Sequence, residues 1–166
     1  MRSKCGLLAI FVFGMLALGA VSASAAPKAQ TISLFETDSV FVGTGGFPTG
    51  NAPPAVGQGF VTTGTLYKSA GGKQGAPVGH VRVVCTVTSV TLMQNSGTVW
   101  TQCEVSLFLP GGVIEGSGPL SLSNPTNYVP VTGGTGAYVG AQGIVKHKAI
   151  GGQNSNRSID VIDIIN

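Results

Sequence analysis

The chain has 166 residues, of which 26 are glycine and 9% are charged, with a formal net charge of +3. So slight an excess leaves no basic footprint for nucleic acid or an anionic membrane surface. The abundance of Val, Ile, Leu and Phe excludes a disordered chain and points to an all-β domain built on Gly, Val, Thr and Ser.

Residues 1–25, MRSKCGLLAIFVFGMLALGAVSASA, read as a secretory leader. Arg2 and Lys4 make a basic start, Gly6 to Val21 an apolar run, and Ala23-Ser24-Ala25 the small-x-small cleavage pattern. The run is short for a spanning helix, which needs about 20 residues; an uncleaved anchor is the alternative. Cleavage after Ala25 leaves one secreted domain, 26–166, with no stable membrane insertion. Cys5 leaves with the leader. Cys85 and Cys103 then remain, and oxidising surroundings favour a disulfide between them.

Alternation of apolar and polar residues predicts strands over 31–42, 57–68, 79–92, 98–109, 112–122, 126–132, 138–150 and 157–165. Segments rich in Gly, Pro, Asn and Ser separate them, among them SAGGKQGAP, QNSG, PGG and GGTG. Eight strands joined mainly by short turns imply an antiparallel up-and-down sheet, and closing it into a barrel removes the exposed edges. If Cys85 faces Cys103, paired positions sum to 188 and the turn centres on Gln94. Val81, Val83, Cys85 and Val87 then share an apolar face with Thr101, Cys103, Val105 and Leu107. The PGG turn continues this register, placing Ile114, Gly116 and Gly118 inside and Glu115 outside.

Candidate chemistry is sparse. Glu36 and Asp38 alternate in LFETDSV and share a face. Facing inward they would raise each other's pKa and supply a general acid; facing outward they are solvated charges. Tyr67 and Tyr138 suit either stacking on an aromatic substrate or packing at a barrel end. His147, between Lys146 and Lys148, reads as exposed. Asp160 and Asp163 differ in parity, so one faces inward, but nothing in the sequence pairs it. His80 and His147 lie at no ligand-like spacing from the cysteines, so no metal site is expected. There is no G-x-S-x-G elbow and no phosphate loop.

The segment VTGGTGAYVGAQGIV, with Gly133, Gly134, Gly136, Gly140 and Gly143, resembles the turn motif of the allene oxide cyclase and dirigent superfamily. The stretches VGQGFVTTGTLYKSAGG, PVGHVRVVCTVTS and TQCEVSLFLPGGVIEGSG are similar to its bacterial secreted members. The resemblance implies an eight-stranded barrel with a largely hydrophobic lumen, often assembled as a homotrimer or dimer. It also implies a small hydrophobic or phenolic ligand, directed cyclisation or coupling, and no redox or metal cofactor. An acidic residue on the first strand assists in that family, a role that would fall to Glu36 or Asp38. The family's histidine–aspartate pair has no evident counterpart. A non-catalytic secreted binding or structural module is the competing expectation. An open lumen holding an acid favours the first, and a lumen packed with Val, Leu and Phe favours the second.

Overall fold

The computed structural model describes residues 28–48, 52–93, 96–151 and 155–165, with backbone only at 38, 39, 93 and 96. The leader and the hairpin centre at Gln94 lie outside the described residues. Eight strands form one closed antiparallel barrel in chain order: β1 (Ala29–Thr44), β2 (Gly59–Ala70), β3 (Lys73–Met93), β4 (Ser96–Leu109), β5 (Gly112–Ser121), β6 (Thr126–Gly134), β7 (Gln142–Ile150) and β8 (Arg157–Ile165). Closure comes from β8 pairing back onto β1, as in Phe35 opposite Ile159. That pairing covers the outer edges of the first and last strands from Ala29 to Glu36, which closure is expected to do.

The hairpin of β3 and β4 follows the register that its alternation implies. Val81 faces Leu107, Cys85 faces Cys103 and Val87 faces Thr101. Beyond that pair the register slips at Thr88, so Ser89 faces Trp100. Such a bulge adds one residue to one strand and increases its twist. Cys85 and Cys103 are joined by a disulfide with their Cα atoms 4.1 Å apart.

Most boundaries fall within two residues of the sequence reading, and two differ by more. The break SAGGKQGAP contracts to a two-residue turn at Gly71 and Gly72, with φ of 58° and 76°, and β3 starts at once at Lys73. Two consecutive positive φ values fit the right-handed twist of a hairpin, so a tight turn replaces a loop. The other difference is at GGTGAYVG, where a 3-10 turn at Gly136–Tyr138 delays β7 to Gln142. Gly136 and Gly140 carry the left-handed φ values of this connection, 59° and 76°. The turn folds over one barrel end and buries Tyr138 there.

Inward parity fills that end with apolar side chains. Leu34, Leu66, Ile114, Val131, Ile162 and Ile164 form its packed core, with Tyr138 and Ala141 closing it. At the opposite end a second cluster gathers Phe60 over the disulfide, with Phe47 and Leu120 against it. Between the second cluster and the first the lumen is not filled.

Candidate functional site

Three adjacent strands bring the polar lumen residues together. In β8, Ser158 and Asp160 share the inward parity of Ile162 and Ile164, and all four are buried. β1 sets Glu36 opposite Ser158, and β7 sets His147 opposite Asp160. The serine hydroxyl donates to Glu36 Oε2 at 3.0 Å. His147 Nδ1 lies 2.8 Å from Asp160 Oδ1, with side-chain exposures of 37% and 4%. Donor atoms of Glu36, His147 and Asp160 all lie within 4.8 Å of one another. The result is a cluster of two carboxylates and one imidazole set into an apolar wall.

This cluster faces a cavity of about 360 Å³. Its wall is mostly apolar, with Phe41, Phe60, Val83, Val105, Leu120 and Val145 among the lining residues. The volume falls in the range that holds a small organic ligand. His147 owes its exposure to this cavity, since the neighbouring Lys146 and Lys148 carry the outward parity of β7. Burial by itself would push the His147 pKa down. The hydrogen bond with Asp160, then the charges of Asp160 and Glu36, outweigh that and hold it above the ordinary 6.5. With Nδ1–H donated to Asp160, the ring is oriented and its positive form stabilised. The arrangement can donate a proton to an oxygen that gains charge, or accept one when neutral.

The structure places the residues singled out from the sequence differently. Glu36 is inward and 7% exposed. Asp38 has its side chain outside the described residues; β1 changes register between Thr37 and Val40, across that position. Tyr67 is not in the cavity wall: it pairs with Phe35, on the parity opposite to inward Leu66 and Glu36. Tyr138 closes the far end instead, its hydroxyl 3.5 Å from the Pro110 carbonyl. Packing at a barrel end, rather than stacking on a substrate, describes where it lies.

Two readings are overturned. His147 is a cavity residue and not merely a surface histidine, and Asp160 does have a partner. Together they form a histidine–aspartate pair at 2.8 Å across β7 and β8. The signal was present: His147 alternates inward with Val145 and Ala149 while two lysines alternate outward. The lysines drew attention to the wrong face. The same three donor atoms are the group among the described residues that a metal ion could share. Sequence spacing between histidines and cysteines gave no hint of it, because the donors come from three strands. An ion there would have to take the place of the proton between His147 and Asp160.

The fold is that of the barrels used by dirigent proteins and by several cyclases. Among solved structures, pyocyanin demethylase superposes with a TM-score of 0.62 at 18% identity, over 81% of this chain and 99% of that one. An exo-specific intermolecular Diels-Alderase gives 0.60 at 16% identity, over 86% and 100%. A pterocarpan synthase dirigent protein gives 0.60 at 16% identity, over 86% and 96%. No family model matches the sequence, and no curated protein sequence does. The likeness is therefore one of fold. No helix among the described residues is long and apolar enough to cross a membrane.

Proposed function

We propose that the chain is a secreted barrel that binds a small hydrophobic or phenolic molecule and directs its cyclisation or stereoselective coupling. The observation that carries this reading is the half-hollow lumen, with Glu36, His147 and Asp160 set into its apolar wall. Apolar walls fix the ligand's conformer and exclude water, which lowers the entropic part of the barrier. Protonated His147, held by Asp160, would stabilise negative charge developing on a phenol or carbonyl oxygen. Glu36, held by Ser158, would exchange a proton on the other side of β8. A positioned acid or base of this kind contributes roughly 10²–10⁴-fold to rate. The leader 1–25, and a disulfide suited to an oxidising compartment, support export. Assembly into two or three copies belongs to the same proposal and follows from the resemblance alone.

Oxidising a 4-propenylphenol to its radical in the presence of the protein tests the directing role. An enantiomeric excess in the coupled dimer is expected, and Glu36→Gln and His147→Gln should each reduce it. A racemic product, together with ligand binding that both variants retain, would leave only a binding module.

A further inference from the structure

The cavity's charge inventory narrows the ligand further than apolar walls do. Two carboxylates, Glu36 and Asp160, enter it from β1 and β8, and one imidazole, His147, enters from β7. The cluster sets two carboxylates against one imidazole. Among the described residues, Arg157 is the further basic residue in the cavity lining, and no lysine lines it. Lys146 has its Nζ 5.9 Å from the Tyr128 ring, and Lys148 shares its outward parity. Arg157 itself has its guanidinium 5.4 Å from the ring of Phe35, a buried residue that does not line the cavity. Lys68, Lys73 and Arg82 are exposed, and so is Asp163, which accepts from Thr31 on the outer wall.

The mouth adds a second feature. Phe41, Phe47 and Phe60 form a cluster there, with ring centroids 5.1–5.6 Å apart. Phe41 and Phe60 both line the cavity, and Phe41 is 48% exposed. Aromatic faces attract cations through the ring quadrupole, most strongly where water is excluded. A negative cluster beneath an aromatic rim is the pair of features that recognises a flat or quaternary organic cation.

We infer that the cavity prefers a small aromatic cation over a neutral or anionic molecule of the same shape. The charge is held between the Phe41–Phe60 rim and the carboxylates of Glu36 and Asp160. This rests on the reading of the lumen as the ligand site and names the class of ligand within it. A positive centre near two carboxylates in a cavity of low dielectric gains far more than it does in water. An anionic ligand meets the same field with the opposite sign and is rejected. Protonation of His147 weakens the field, because with Arg157 two cationic groups then stand against the two carboxylates, and the preference is largest where His147 is neutral.

The test compares three bicyclic probes on the intact oxidised protein by calorimetry: N-methylquinolinium, neutral 1-methylnaphthalene and anionic 1-naphthoate. At about pH 8.5 the cation should bind at least roughly tenfold tighter than the neutral probe, with naphthoate weakest. Glu36→Gln should shrink the ratio of cation to neutral affinity several-fold, and Phe41→Leu should shrink it less. A neutral probe that binds as tightly as the cation, or a naphthoate that binds tighter, would overturn the charge preference while leaving the lumen as the ligand site. Failure of all three probes to bind would overturn both. The ratio within the unsubstituted protein decides the matter even if a variant does not fold.

Discussion

Burial by itself would strip the proton from His147, and the neighbouring carboxylates reverse that outcome. A raised histidine pKa means that the folded state holds the proton more tightly than the unfolded chain does. The stabilisation it supplies is fully present below about 6.5, the unfolded value, and is lost as pH rises through the higher folded value. Urea unfolding should therefore show a larger advantage of the unsubstituted protein over His147→Gln at about pH 5.5 than at about pH 9. Asp160→Asn removes both the hydrogen-bonded acceptor charge and its Coulombic pull while leaving the ring's desolvation in place. The His147 midpoint, followed by NMR, should then fall. An unmoved midpoint would mean that Asp160 does not set it.

Among the elements, the β3–β4 hairpin shows how much the sequence determines on its own. Period-two alternation fixes which side chains face inward, and the Cys85–Cys103 pair fixes the register. Closing the 18-residue separation restricts the unfolded chain and stabilises by about 3 kcal/mol on the chain-entropy view. Cys85→Ala with Cys103→Ala should lower the unfolding free energy by about that amount, and denaturant titration under non-reducing conditions would show it. β7 and β8 were harder to read. Ser158 meets Glu36 across 122 residues of sequence, a contact that exists only because β8 closes the barrel onto β1. Alternation shows that Asp160 faces inward, but it cannot show what stands opposite. For the tyrosines the sequence left two roles open, stacking on a ligand and packing at a barrel end. Residue type cannot choose between them; parity sets Tyr67 outside the cavity wall, and the turn motif carries Tyr138 to the far end.

Across the whole molecule the lumen is divided, and the division bears on the two functional expectations. One half is packed around Ile114, Ile162 and Ile164, as a structural module would be; the other is open and holds the acids. Identical substitutions in the two halves should therefore have opposite consequences. Ile114 is fully buried in the packed half and does not line the cavity. Placing phenylalanine there forces neighbours off their rotamers and should cost about 1–3 kcal/mol of stability. Val83 lines the open half, so its added ring has space to enter. Val83→Phe should cost clearly less than Ile114→Phe in urea unfolding, yet abolish binding of N-methylquinolinium by occupying its volume. Ile114→Phe should do the reverse, lowering stability while binding persists at temperatures where the protein stays folded. Equal losses of stability from both variants would mean that the lumen collapses in solution, and the barrel would then be a scaffold without a pocket.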